Sequence, residues 1–573
     1  MLKGIGVFDG IGIGQAYIYE ENEIVVKKGS KVSKEEEKEA FLEAQETFEK
    51  EISALIAQPT YELEKEQKEI LLGQLTMIKD PELLDLIEAF ISQENMSAAE
   101  AVERVCDQYI QVFLNSGDEV LCERATDVKD LKQRMLRILL GVAEERLDQF
   151  PEETILVAKE LTPSMTTRLD LSKICGIVTE TGGRTSHVAI LAKLLEIPAV
   201  LGVSQATTKI KTKDIVGING KRGEVFVSPN ETQLNILKKS QEEYKQQQRE
   251  LIAFKEKKAE TKDQRPIILG GNIVGAKDTK KLLEYGASGV GLFRTEFLYM
   301  DRSTFPDEEE QFLAYKETLE GMEKKSVTIR TLDVGGDKEI GYLGIEQEMN
   351  PFLGYRGIRY CLGEPFRFKQ QLKAILRASA YGKAKIMLPM VTSLEEVNQT
   401  KKLLDECKEQ LEELGVPYDK DIKLGIMMET PAACVIADQL AEEVDFFSIG
   451  TNDLTQYLLA VDRGNKKVSY LYSVFHPAVL RSIHRVIQCG KEAGITVSMC
   501  GEAASLPILI PVWLGFGLTE FSVSPSAILQ TKKILRSCDS KECIEIANKV
   551  LAMKESGQVA QYLESKCKDY YEF

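Results

Sequence analysis

The stretch KLGIMMETPAACVIADQLAEEVDFFSIGTNDLTQYLLAVDRGN, residues 423–465, decides the fold. It holds two short apolar β-runs, 423–428 and 444–449, each leading into a helical pattern. Six more such runs flank it, at 266–271, 288–293, 326–330 and 384–389 on one side and at 494–499 and 518–523 on the other. Eight β-runs alternating with helices predict a (β/α)8 barrel. Several runs end in chemically useful residues: Asn272, Arg294, Arg330, Glu429, the neighbours Asn452 and Asp453, and Cys500. The active site of such a barrel lies at the C-terminal ends of its strands, so these residues are expected to share one mouth.

Upstream, residues 231–264 are long, highly charged and poor in Gly and Pro, and predict a linker helix; the charge pattern alone equally allows a solvated helix with no mechanical role. Residues 155–227 return to short apolar strands, as do residues 1–20, and together they predict one α/β domain. Between them, Leu71, Leu75 and Ile78, then Leu131, Met135, Ile138 and Val142, repeat at helical spacing. Asp80-Pro81 has the form of an N-cap and first helical residue. A helical subdomain inserted in the α/β domain follows from that order.

At 573 residues the chain exceeds what one hydrophobic core usually supports. A net charge of −17 argues against nucleic acid as a partner and suits a basic protein partner. The longest apolar run, Ile508–Leu518, is broken by Pro511 and too short to span a bilayer, and the start MLKGIGVFDG lacks a charged segment leading into an apolar core. A cytoplasmic protein without membrane insertion is expected. Eleven cysteines without a C-x-x-C pair predict reduced thiols.

The α/β segment also contains Thr181-Gly182-Gly183-Arg184-Thr185-Ser186-His187, which sets an imidazole on a glycine-led turn before an amphipathic run, Val188–Ile197, that Pro198 ends. Thr185 or Ser186 can cap that helix, and its free N–H groups would face a dianion carried on or beside His187. Such a histidine suits phosphoryl transfer, yet taken alone a histidine before a helix is more often a capping or surface residue.

Seven segments together resolve the choice: GGRTSHVAILAK (182–193), GLFRTEFLYMDR (291–302), IRTLDVGGDK (329–338), NPFLGYRGIR (350–359), GIMMETPAA (425–433), SIGTNDLTQYLLAVDRGN (448–465) and SMCGEA (498–503). In content and order the chain resembles the phosphoenolpyruvate-utilising enzymes, and within them the Enzyme I family of the bacterial sugar phosphotransferase system. The resemblance implies a swivelling phosphohistidine α/β domain from residues 1–22 and 148–230, an inserted helical phosphocarrier-binding subdomain at 23–147, a linker helix at 231–264, and a barrel at 265–573 for substrate binding and dimerisation. It implies that phosphoenolpyruvate phosphorylates His187, releasing pyruvate, and that the phosphoryl group passes to the histidine phosphocarrier protein HPr. A homodimer through the barrel is implied as well.

Phosphoenolpyruvate carries a phosphate and a carboxylate, which planar guanidinium donors neutralise well. Arg294, Arg330 and Arg463 match the family's phosphate-side positions, Arg463 lying also near the carboxylate, and Arg356 matches another substrate arginine. Glu429 and Asp453 match the metal positions and suit Mg²⁺, which prefers carboxylate and water oxygens. Asn452 is placed to hydrogen-bond the substrate, and Lys338 to add charge near the phosphate. His187 would attack phosphorus in line, and Cys500 would protonate the enolate that leaves. Two departures touch no catalytic group: Cys500-Gly501-Glu502-Ala503-Ala504-Ser505 replaces the family's CGE-Met-Ala-Gly, and Phe8-Asp9-Gly10 replaces its opening Ser-Pro-Gly turn. Pyruvate phosphate dikinase and phosphoenolpyruvate synthase share the histidine and barrel but add a large nucleotide-binding domain, of which this sequence shows no nucleotide loop. A catalytically idle binding protein would be favoured by a degraded Arg, Glu, Asp and Cys set, and that set is intact.

Overall fold

The computed structural model describes residues 1–19, 24, 26, 29–30, 32–57, 65–115, 119–142, 150–161, 165, 173–183, 187–194, 197–300, 302, 304–334, 340–345, 348–465 and 467–571. They form two compact units, Met1–Gln246 and Gln247–Phe573. Among them no helix is long and apolar enough to cross a membrane.

The first unit is built on an eight-stranded sheet of β1 (Leu2–Lys3), β2 (Ile5–Phe8), β3 (Ile11–Tyr19), β4 (Thr154–Ala158), β5 (Ile174–Thr179), β6 (Ala199–Leu201), β7 (Ile215–Asn219) and β8 (Glu224–Val227). Its strand order is β1-β8-β7-β3-β4-β5-β6-β2. β4 is central and reads TILVA, an unbroken apolar run, because both of its faces are covered. Alternation sends Leu156 and Ala158 into one apolar cluster and Ile155 and Val157 into the other. β3 pairs in parallel with β4, Gln15 opposite Thr154, so the chain between them leaves the sheet and rejoins it beside its point of departure.

That excursion is helical: α1 (Lys34–Ala57), α2 (Lys65–Met77), α3 (Pro81–Glu94), α4 (Ala98–Asn115) and α5 (Glu119–Leu140). These helices close on their own core, with Phe41, Phe48, Ile87, Val105 and Leu131 buried together. α3 starts where its sequence directs. The Asp80 carboxylate accepts the Glu82 N–H at 2.9 Å, and Pro81 occupies the first turn, where its missing N–H costs nothing. After the excursion, α6 (His187–Leu194) packs Val188, Ala189 and Ala192 against Leu156, Ile177 and Leu201 of the sheet.

The second unit is a closed barrel of eight parallel strands: β9 (Ile268–Ile273), β10 (Gly289–Arg294), β11 (Ser326–Arg330), β12 (Ala384–Leu388), β13 (Lys423–Met428), β14 (Phe446–Ile449), β15 (Thr496–Met499) and β16 (Glu520–Val523). β16 pairs with β9, Phe521 opposite Leu269, which completes the ring. Leu292, Met387, Met427, Phe446 and Cys500 fill its interior, while a much larger apolar cluster packs the helices onto its outside.

The helix expected over 231–264 is shorter: α7 runs only over Glu231–Ile252. The residues after it lose the helical pattern because other groups take their carbonyls. Lys532 Nζ donates to Lys255 O at 3.1 Å and Arg536 to Lys258 O at 2.8 Å, both from α9 (Ile528–Ser537), while Glu260 bridges Pro266. Bonds distant in sequence override the helical propensity of this charged run.

Candidate functional site

At the C-terminal mouth of the barrel, charges of alternating sign form a chain. Glu296, which follows β10, accepts from Arg294 Nε at 3.0 Å and from Arg330 Nη2 at 2.9 Å. Arg330 Nη1 lies 3.1 Å from Asp333 Oδ2, and Asp333 receives Arg356 Nη2 at 2.9 and 3.0 Å. The same Arg356 nitrogen donates to Asp453 Oδ2 at 3.1 Å, and Arg463 Nη1 stands 3.8 Å from Asp453 Oδ1. Asp453 and Asn452 open α8 (Thr451–Leu459), directly after β14.

Glu296 and Arg330 are buried, at 0% and 8% exposure, so the network is expensive to assemble and each member depends on its partners. Burial works against the Arg330 charge, but Glu296, Asp333 and Glu429 outweigh it and raise its pKa. Burial likewise opposes ionisation of Asp333, and Arg356 and Arg330 reverse this, holding its pKa below the ordinary value. The Arg330 Nε atom is buried and has no hydrogen-bond partner among the described residues. An unsatisfied buried donor on a cation marks a place where an anion would be stabilised.

Glu429 departs from the others. It follows β13, is 2% exposed, and accepts the Met390 N–H at 2.7 Å through Oε1. Burial first, then the neighbouring Asp453 and Asp333, push its carboxyl up to about 8. The chain passes close behind it only because residue 450 is glycine: a Cβ there would stand 2.7 Å from Glu429 Oε2. Two crowded carboxylates of this kind fit a divalent cation, whose charge would relieve their repulsion. Among the described residues no cluster of three or more His, Cys, Asp or Glu side chains is arranged to hold a metal. A cation held by Glu429 would have to displace its proton, so its affinity should weaken about tenfold for each unit the pH falls below that carboxyl's pKa. Calorimetric titration with Mn²⁺ at several pH values measures this, and a flat affinity between pH 6 and 8 would show that Glu429 is already ionised there (roughly one proton per site is at stake).

Cys500 directly follows β15 and packs with the residues that fill the barrel interior. Its Sγ lies 3.7 Å from Ile449 O, and Asn272 Nδ2 donates to its carbonyl at 2.9 Å. Burial pushes the thiol up to about 11, the Ser448 hydroxyl pulling the other way, so it is protonated at neutral pH. Asn452 Oδ1 accepts the Glu502 N–H at 3.1 Å, joining α8 to the loop after Cys500.

The structure thus gathers Arg294, Arg330, Arg356, Asn452, Asp453 and Arg463 with Glu429 and Cys500 in the barrel unit. His187 begins α6 in the other unit. Lys338, and the Thr185 and Ser186 caps proposed for α6, lie outside the described residues. Sequence reasoning missed Glu296, Asp333, Gln456 and Tyr457. Glu296 and Asp333 lie inside the quoted motifs FRTE and RTLD, where an acid two or three residues from an arginine was the available signal. Gln456, whose Oε1 accepts the Arg463 N–H at 3.1 Å, and Tyr457, whose hydroxyl accepts from Arg356 Nη1 at 3.1 Å, carry no such local signal in NDLTQY.

Residues 245–540 match the PEP-binding domain of the PEP-utilising enzymes, residues 150–223 their mobile domain, and residues 3–124 their N-terminal domain. The chain is 42% identical to the phosphoenolpyruvate-protein phosphotransferase of Listeria monocytogenes, over 98% of both proteins. It is 42% identical to that of Bacillus subtilis, over 99% of this chain and 100% of the relative. A solution structure of Enzyme I (nEIt) protein is 36% identical and covers 43% of this chain and 100% of its own, with a TM-score of 0.37.

Proposed function

The chain belongs to the phosphoenolpyruvate-protein phosphotransferases, the Enzyme I family of PEP-utilising enzymes, and from that premise we propose that His187 takes the phosphoryl group of phosphoenolpyruvate at the barrel mouth and passes it to HPr. The observation that carries this reading is the run of arginines held between buried carboxylates at the barrel mouth, in the same barrel as an uncharged, buried thiol. Arg294, Arg330 and Arg463 would bind the phosphate, Arg463 lying also near the carboxylate, Arg356 would be a further substrate-binding arginine, and Asn452 would hydrogen-bond the substrate. Lys338 would add charge near the phosphate.

Glu429 and Asp453 would hold the family's divalent metal, assigned here to Mg²⁺, which when bound supplies positive charge to the transferring phosphoryl oxygens. The His187 imidazole forms the N–P bond as the bridging P–O bond breaks, and the bond's electrons leave with the enolate of pyruvate. That enolate needs a proton on its methylene carbon. Cys500 would give it: at a pKa near 11 the thiol still holds its proton at pH 7. Its proton moves to carbon and leaves a thiolate that water must later reprotonate.

Incubation with phosphoenolpyruvate and Mg²⁺, without nucleotide, should add one acid-labile phosphate per chain by intact mass; labelling that requires ATP would return the dikinase-like reading. Cys500→Ala should slow pyruvate formation by about 10²-fold while leaving substrate binding comparatively intact. Normal turnover in that variant would reduce Cys500 to a packing residue. HPr docking on the inserted helices, a homodimer through the barrel and a cytoplasmic location complete the proposal. The net charge of −17 supports a basic docking partner.

A further inference from the structure

We propose that Tyr457 is the positioning residue for Arg356, fixing one edge of its guanidinium so that a single N–H is left to meet the substrate; this rests on the reading of Arg356 as a substrate-binding group. α8 sets Asp453 and Tyr457 four residues apart, on one helical face, and both reach the same arginine. Asp453 Oδ2 accepts from Nη2 at 3.1 Å, and the Tyr457 hydroxyl accepts from Nη1 at 3.1 Å.

A guanidinium has five N–H groups, and four of these are committed. Nε–H donates to Asp333 Oδ1 at 3.2 Å. Nη2 divides its two between the Asp333 carboxylate and Asp453. Nη1 gives one to Tyr457, and its second has no acceptor among the described residues. Asp333 and Asp453 therefore hold one side of the group, and among the described residues Tyr457 alone holds the Nη1 side.

The tyrosine is itself anchored. Its own hydrogen goes to Phe352 O, in the one-turn helix Pro351–Leu353 that precedes Arg356. That loop is braced internally: Arg359 Nη1 donates to Leu353 O at 2.7 Å, and the Tyr355 N–H to Glu348 Oε1 at 2.9 Å. Gly357 completes it with a φ of +57°, and a Cβ there would stand 2.9 Å from Met390. The hydroxyl thus joins the helix that carries Asp453 to the loop that carries Arg356.

The test uses the intact chain with His187→Ala, so that substrate is not consumed. Calorimetric Kd values for phosphoenolpyruvate with Mg²⁺ are compared among that parent, Tyr457→Phe, Arg356→Ala and the double variant. Tyr457→Phe should weaken binding about tenfold, the scale of one hydrogen bond to a charged group, with an unchanged melting temperature. The loss should vanish when Arg356 is already alanine, and in chains retaining His187 the KM should rise while kcat stays within about threefold. An equal tyrosine effect in both arginine backgrounds would overturn the proposal, since the hydroxyl would then act through loop packing. Unchanged binding in Tyr457→Phe beside a loss in Arg356→Ala would overturn it while leaving the arginine's role intact. Unchanged binding in Arg356→Ala would remove the premise itself.

Discussion

His187→Ala is expected to take up no phosphate from phosphoenolpyruvate and to release no pyruvate, a complete loss rather than a reduced rate. The other two histidines are already engaged, which is why the effect should be total. His476 caps a helix, its Nδ1 accepting the Ala478 N–H at 3.1 Å, and His484 packs edge-on against Phe516 with its pKa lowered by burial. Neither is the first residue of a helix four positions after a Gly-Gly pair in the sequence, as His187 is. Phosphorus-31 NMR and intact mass on the variant check the prediction, and labelling retained in His187→Ala would place the phosphohistidine elsewhere. The charge network of the barrel is built from other residues, so phosphoenolpyruvate should still bind, which the calorimetry on this same variant also reads.

The barrel was legible because its strands are short apolar runs separated by helices, and such runs report burial. They report pairing less well. The expected starts at 266, 444, 494 and 518 each precede the observed strands at Ile268, Phe446, Thr496 and Glu520 by two residues. Ile267, Val444 and Leu518 are buried apolar residues that pack before the ladder begins, so burial alone extends the reading. The linker helix is present but shorter than its charged run predicts, for a different reason: the run is helical by local preference, while beyond Ile252 its carbonyls are taken by Lys532 and Arg536. Glu296 and Asp333 escaped because an acid near an arginine in sequence usually signals a solvated pair. Their burial comes from neighbouring barrel strands, a relation between β10, β11 and the loops above them that no local pattern contains.

The largest separable effect should come from division of the chain. A fragment of residues 1–246 is expected to exchange phosphate with phosphorylated HPr and to be inert toward phosphoenolpyruvate. The first unit has its own sheet core and its own helical core, and every barrel residue assigned to substrate or metal lies beyond Gln247. His187, at the start of α6, stays with the fragment. One histidine must therefore serve two partners, and only one of those reactions needs the arginines. Where the substrate phosphate is held by Arg294, Arg330 and Arg463, the fragment loses the whole of that stabilisation, and phosphoenolpyruvate has no bound state from which to react. The carrier brings its phosphate already on a histidine, so exchange with His187 requires docking and alignment alone. Phosphorus-31 NMR on the fragment reads both reactions. Direct phosphorylation by phosphoenolpyruvate would remove the barrel as the substrate site, and failure with a carrier that the full chain phosphorylates would show that the inserted helices are insufficient for docking.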